Sequence, residues 1–172
     1  MPCVIAPPFH LGGVQALTRH FLGTFVFRKE TIMACIEEYL ENLARFGFKR
    51  VVLFNDHGDG LHISAIVEAI KNANRKLELQ AYWMEYEYEL KEHGFSGEED
   101  YILKLTDMPF EEMFQISKMP EDAFDVHAGA FEIATMREIY TEAIRENALI
   151  PNGYVGEPKG SQYIETKANV EK

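Results

Sequence analysis

Helical and extended patterns alternate through the first half of the chain, and this alternation restricts the fold more than any other feature. Apolar residues recur at helical spacing over residues 31–46, on one face of a helix with a period of about 3.6 residues. A continuous apolar run at 51–54 and a second predicted strand at 77–83 flank another helical pattern. Strand, helix and strand in this order form a βαβ unit with two parallel strands. The sequence therefore predicts an α/β fold, with helices on both faces of a mostly parallel sheet.

The size and composition of the chain are typical of a globular domain. It has 172 residues, of which 47% are hydrophobic and 26% are charged. No segment approaches the roughly 20 apolar residues of a membrane span, and the start lacks the charged and apolar stretches of a signal peptide. The two cysteines, Cys3 and Cys35, do not make a disulfide framework. We expect a soluble, cytoplasmic protein with no membrane partner.

The charge of the chain argues against nucleic acid as a partner. The formal net charge is −11, from 17 Lys and Arg against 28 Asp and Glu, and no basic cluster interrupts this balance. Phosphate backbones are attracted by basic surfaces, so we expect no nucleic-acid partner. The motifs of serine hydrolases, nucleotide hydrolases and dinucleotide-dependent oxidoreductases (G-x-S-x-G, the P-loop and G-x-G-x-x-G) are also absent from the sequence.

We predict a single domain over residues 1–172, because the chain has the length of one domain and contains no internal repeat or low-complexity segment. Residues 1–24 contain several prolines and glycines and are predicted to be a lead-in loop. Residues 151–172 begin with prolines and glycines and then turn polar, which predicts a tail with little regular structure.

The region between the second predicted strand and the tail has weaker patterns. Acidic and aromatic residues alternate at 85–89, where we expect a solvated edge of the domain, with a cation-binding groove as the alternative. The chain beyond is predicted to be irregular as far as residue 125, with a short helix near 110–116. A further helix over about 129–140 is apolar on nearly all sides, which predicts burial.

The first candidate site is the turn at residues 55–60, which follows the apolar strand and precedes a helix. Ligands of open α/β sheets bind at the carboxyl ends of strands, and His57 and Asp59 can both point into one crevice there. Imidazole and carboxylate are common ligands of Zn²⁺ or Mn²⁺. In the alternative interpretation, Asp59 caps the following helix and His57 hydrogen-bonds the backbone. A phosphate cradle is disfavoured, because Asp56 and Asp59 would repel the anion.

The second candidate site lies at the start of the apolar helix predicted near residue 129. His127 and Glu132 are five residues apart there. A carboxylate on a nearly apolar helix is costly to bury unless it meets a metal, a cation or a hydrogen-bond donor. A histidine at a helix N-terminus favours its neutral form, which suits a base or a metal ligand. The alternative is a local hydrogen bond at the helix end and an exposed glutamate.

Several stretches, taken together in their order and spacing, resemble the creatininase family of metal-dependent amidohydrolases. Residues 20–24 are similar to the family's His-x-x-Phe-Pro-Gly-Thr stretch, and residues 55–60 look like its Asn-Gly-His loop. Residues 127–132 look like its His-Ala-Gly-x-Phe-Glu box, and 154–158 are similar to its late Gly-Asp-Pro turn. The other matching stretches are 7–8, 30–31 and 45–52. The resemblance implies a three-layer αβα domain.

The resemblance also implies a reaction and roles for the candidate residues. His57 would be a metal ligand, and Asp59 would stand where creatininase proper has a glutamate for a second metal. His127 would be catalytic or would position the substrate, with Glu132 supporting it. The implied reaction is the hydrolysis of a C–N amide bond in a small, often cyclic, substrate by water activated on Zn²⁺ or Mn²⁺.

Three departures from the family pattern open a second hypothesis. The family's N-terminal strand and loop carry a Glu-x-His pair and a bridging Asp, and these have no counterpart in the sequence. Asp56 replaces the usual Gly, Gly60 replaces the usual Asn, and Ala130 stands where many relatives carry a Glu. Without the first strand, a sheet edge or apolar face is expected to be covered by another creatininase-family chain, in a homo- or hetero-oligomer. The chain is then either a hydrolase or a non-catalytic paralogue that serves as a binding or assembly subunit.

Overall fold

The computed structural model of the protein describes residues 3–14, 19, 24–106, 125–127, 130–144 and 155–156. The chain divides into two compact units. The first contains residues 1–19 and 24–106, and the second contains residues 20–23 and 107–172. Within the described ranges, no helix is long and apolar enough to cross a membrane.

The first unit is a mixed α/β structure with a parallel sheet. Its strands lie in the order β1-β2-β3, and both neighbouring pairs are parallel. The predicted βαβ unit is present as β1, α2 and β2, which confirms the α/β fold class. The elements are α1 (Lys29–Arg45), β1 (Arg50–Phe54), α2 (Gly60–Lys76), β2 (Gln80–Tyr86), α3 (Glu87–Glu92) and β3 (Ile102–Leu105).

The core of this unit forms where the apolar faces of α1 and α2 meet the buried side of β2. Ile32 and Leu40 of α1, Ile70 of α2 and Trp83 of β2 are all buried in one apolar cluster. α1 ends just before Gly47, whose φ of 92° lies in the left-handed region that ends helices. The two helices therefore follow the periodicity predicted from the sequence.

The second strand differs from its prediction at both ends. It runs from Gln80 to Tyr86 rather than over 77–83, because α2 continues to Lys76. The side chain of Asn74 accepts a hydrogen bond from the backbone N–H of Ala81 at 2.7 Å and donates one to its carbonyl at 3.0 Å. At the other end, pairing with β3 extends the strand. β3 itself lies in the region predicted to be irregular.

The two faces of β1 differ in exposure: Val51 and Leu53 are half-buried, and the other face is exposed. Val52 and Phe54 are 48% and 59% exposed, although the continuous apolar run predicted burial on both faces of this strand. The segment at 25–27 is a short apolar run of β-prone residues, but it is irregular in the structure, and Phe25 is exposed.

The second unit contains short elements. They are β4 (Asp125–His127), α4 (Ala130–Ile139), a 3₁₀ helix (Thr141–Ala143) and β5 (Val155–Gly156), and β5 pairs antiparallel with β4. α4 confirms the helix predicted over 129–140, but burial on all sides was wrong, because Ile139 is 67% exposed and only Ala134 is described as buried. The predicted helix at 110–116 and most of the predicted tail lie outside the described residues.

Candidate functional site

The first candidate turn lies where the sequence placed it, between the carboxyl end of β1 and the start of α2. His57 and Asp59 are both half-buried. The side chain of Asn55 donates a hydrogen bond to the carbonyl of His57 at 2.9 Å, which fixes the backbone of the turn. A ligand at this edge of the sheet would meet this turn first.

Asp59 is the N-cap of α2. Its Oδ1 accepts a hydrogen bond from the backbone N–H of Leu61 at 2.9 Å. The cap satisfies one of the N–H groups that have no partner within a helix, and it places a negative charge at the positive end of the helix dipole. The capping interaction considered from the sequence is therefore present, and it occupies one of the two carboxylate oxygens.

Removing the cap tests its contribution to stability. We expect Asp59→Ala to lower the free energy of unfolding by about 0.5–2 kcal/mol, the usual cost of losing an N-cap. Asp59→Asn keeps an oxygen that can accept from Leu61 and should lose much less. Urea unfolding followed by circular dichroism measures both values. Equal losses in the two variants would show that the charge, and not the cap, stabilises this end of α2.

His57 makes a well-defined contact with the N-terminal segment. Its Nε2 lies 2.8 Å from the carbonyl oxygen of Gly13. A second ring, that of His62 on the first turn of α2, packs edge-on against His57 with 5.0 Å between the ring centroids. The backbone hydrogen bond that the sequence offered as the alternative role of His57 is thus present.

His62 is a buried histidine that the sequence did not single out. It is 6% exposed, and its Nδ1 accepts a hydrogen bond from the backbone N–H of Gly13 at 3.4 Å. Burial, together with the neighbouring His57, lowers the pKa of His62 to about 4, and Asp59 opposes this shift. His62 is therefore neutral near pH 7. Its spacing from Ile66 and Ile70 on the apolar face of α2 is the signal that could have indicated burial.

A second group of ionisable residues lies at the carboxyl end of β2. Glu85 is 5% exposed, and burial raises its pKa, with Glu89 and Asp56 adding to the shift. The backbone N–H of Tyr86 donates to Glu85 Oε1 at 2.8 Å and opposes the shift. The expectation of a solvated edge at 85–89 was wrong for Glu85, because the alternation along β2 turns this side chain toward the interior.

The group continues onto α3 and reaches the His57 turn. A Cβ at Gly58 would lie 3.6 Å from Glu89 Oε2, so the turn and this carboxylate are neighbours. Glu89 Oε2 also lies 3.6 Å from His93 Nε2. Burial raises the pKa of the Tyr88 hydroxyl, and the negative charge of Glu89 adds to the effect. Glu85 and Glu89 are therefore acidic neighbours of the candidate site that the sequence analysis did not assign to it.

Burial of Glu85 predicts a pH-dependent stability. A carboxyl whose folded pKa is raised favours the folded state below its ordinary pKa and loses that contribution as the pH rises through the folded value. We expect Glu85→Gln to be more stable than the wild type at pH 7, with the difference vanishing in acid. Unfolding free energies measured from pH 4 to pH 8 check this. Glu92→Gln, at an exposed position of α3, is the control and should show no such dependence.

The family model described as creatinine amidohydrolase matches residues 1–170. The chain belongs to the creatininase family. The ordered motifs in the sequence therefore identified the family correctly.

Solved creatininase structures share the fold of this family member. A tryptophan-to-phenylalanine mutant of creatininase is 20% identical with a TM-score of 0.52, over 88% of this chain. A glutamate-to-glutamine mutant of creatininase complexed with creatine is 20% identical with a TM-score of 0.57, over 93% of this chain. The chain spans 66% of the length of each of these structures. A search of curated protein sequences gives no match.

Creatininase-family proteins generally use a divalent metal, so the described residues can be tested for one. A nitrogen of His57 and an oxygen of Asp59 are donors of the type that Zn²⁺ and Mn²⁺ accept. A catalytic zinc needs about three protein ligands, and no group of three or more metal-ligating side chains comes together in the described ranges. The described residues therefore do not by themselves fit a metal site.

The other two predicted site residues lie in the second unit of this creatininase-family chain. His127 is the last residue of β4, and Glu132 lies in the first turn of α4. Their side chains fall outside the described part of the structure. The roles of His127 and Glu132 stay predictions.

Proposed function

We propose that the chain is a creatininase-type hydrolase that cleaves a C–N amide bond in a small, possibly cyclic, substrate. His57 and Asp59 would contribute to a site for Zn²⁺ or Mn²⁺, and His127 and Glu132 would transfer protons and orient the substrate. The observation that carries the proposal is the placement of His57 and Asp59 in the turn at the carboxyl end of β1 in a chain of this family. The further ligands would come from a partner chain, or the chain would act through a reduced single-metal site.

The proposal includes an assembly and a location. Because the described residues offer two candidate ligands, the active form would be a homo- or hetero-oligomer with a creatininase-family chain. The net charge of −11 supports a small-molecule substrate over nucleic acid. We place this assembly in the cytoplasm, where reduced cysteines persist.

Metal retention tests the proposed function. The purified full chain is incubated with Zn²⁺ or Mn²⁺, desalted and analysed for bound metal, and then assayed with a panel of small cyclic amides that includes creatinine. We expect His57→Ala to lose the metal and the activity. His10→Ala removes an exposed histidine and should retain both. A wild type that holds no metal, combined with an unchanged His57→Ala variant, would contradict the proposal.

A second candidate function is a non-catalytic binding or assembly subunit. Two observations favour it: the shortage of metal ligands in the described ranges, and the exposed apolar side chains of Val52 and Phe54 on β1. This candidate predicts a stable complex with a full-length creatininase-family chain. Size-exclusion chromatography with light scattering, on the chain alone and mixed with such a relative, distinguishes the two. Only monomers in both samples would eliminate the assembly role.

A further inference from the structure

We propose that His62 is a positioning residue for His57 and acts through the peptide groups of Gly13, so that Nδ1 of His57 is the nitrogen that meets a ligand. The role of Nδ1, which is to bind a divalent cation or take up a proton, rests on the proposed function. The positioning of the His57 ring by Gly13 and His62 does not depend on that function.

The proton on His57 follows from the chemistry of its partner. The contact at 2.8 Å joins Nε2 of His57 to a carbonyl oxygen, that of Gly13. A carbonyl oxygen only accepts hydrogen bonds, so Nε2 must carry the hydrogen. In a neutral imidazole, Nδ1 then has no hydrogen and keeps its lone pair. A backbone carbonyl that takes the second ring N–H is the usual support of a metal-binding histidine.

Gly13 also contacts His62, through its backbone N–H group. The N–H of Gly13 donates to Nδ1 of His62 at 3.4 Å, so this nitrogen of His62 carries no hydrogen. His62 is 6% exposed and belongs to the packed first turn of α2, and its ring lies edge-on to that of His57. Gly13 thus connects two rings, and the position of its carbonyl depends on the buried acceptor behind it.

Packing around Gly13 leaves this arrangement little freedom. A Cβ built on Gly13 would come within 2.9 Å of Ile32 Cδ1 and 3.2 Å of the carbonyl oxygen of Phe27, and it would overlap Leu61 Cδ2. The backbone of this segment therefore lies directly on α1 and α2. A small shift of Gly13 would move the only acceptor that the structure gives to His57 Nε2 in the described ranges.

The test compares two variants of His62 in the full-length protein. His62→Asn keeps a side-chain oxygen that can accept from Gly13, whereas His62→Leu removes the acceptor from the same position. Nitrogen-15 NMR of the metal-free protein reports which nitrogen of His57 is protonated. We expect the Nε2–H form in the wild type and in His62→Asn, and a mixture of both forms in His62→Leu.

A titration with Zn²⁺ separates this inference from the proposed function. If His57 binds the ion, His62→Leu should weaken binding about 10–100-fold, and His62→Asn should restore most of it. A wild type with the Nε2–H form but no zinc binding would contradict the proposed function alone. An Nδ1–H form in the wild type, or a His57 signal in His62→Leu identical to that of the wild type, would overturn the positioning role. Should His62→Leu not fold, an Nδ1–H form in the wild type or in His62→Asn would still overturn the positioning role.

Discussion

Replacing Trp83 by alanine is expected to lower the free energy of unfolding by about 3–5 kcal/mol, as for other fully buried large aromatic side chains. Trp83 is 0% exposed in the middle of β2, and its ring packs edge-on against Phe95 with 5.4 Å between the ring centroids. Its removal leaves a cavity where both helices meet the sheet. Urea unfolding of the purified variant measures the loss, and a reduction below about 1 kcal/mol would contradict this account of the core.

Trp83→Phe is the matched control for the cavity. The indole Nε1 is buried and has no hydrogen bond of normal geometry within the described ranges, although a side-chain hydrogen bond from Trp83 lowers the pKa of Glu85 against the dominant effect of burial. A phenylalanine keeps an aromatic ring and removes this poorly paired N–H group, whose burial is unfavourable. We therefore expect Trp83→Phe to lose much less stability than Trp83→Ala. Equal losses would show that the indole group itself is required.

The second large effect is expected at Gly13. Gly13→Ala should destabilise the protein by about 1–3 kcal/mol, the usual cost of forcing an extra carbon into a packed region. The added Cβ would overlap Leu61 Cδ2 and crowd both Ile32 Cδ1 and the carbonyl oxygen of Phe27, so the two packed side chains must shift to make room for it. Thermal and urea unfolding of the variant give the size of the effect.

The neighbouring glycine offers a control in the same segment. Among the described residues, a Cβ at Gly12 would meet only His57 Cδ2, at 3.9 Å, which is an ordinary van der Waals distance. We expect Gly12→Ala to change stability by less than about 0.5 kcal/mol. Similar losses for both variants would mean that the conformation of this segment, rather than its contact with the two helices, requires glycine.

Much of the first unit was predictable because its patterns are local. The apolar spacing that predicted the first helix reflects the single face that α1 buries, and the helix ends just before Gly47, the kind of residue that commonly follows a helix. β3 could not be predicted, because four residues with a weak alternation become a strand only through pairing with β2. The burial of Glu85 was not predicted either, because a charged residue in an acidic run ordinarily lies at the surface.

The sequence by itself determined the family, the order of the elements in the βαβ unit and the turn that carries His57 and Asp59. These depend on residues that are neighbours along the chain. Only the tertiary structure showed that Gly13 lies between His57 and His62, which are separated from it by 44 and 49 residues. The packing of α1, α2 and the N-terminal segment brings these groups together. A hydrogen bond between distant parts of a chain leaves no periodic pattern, so no reading of local spacing could have found it.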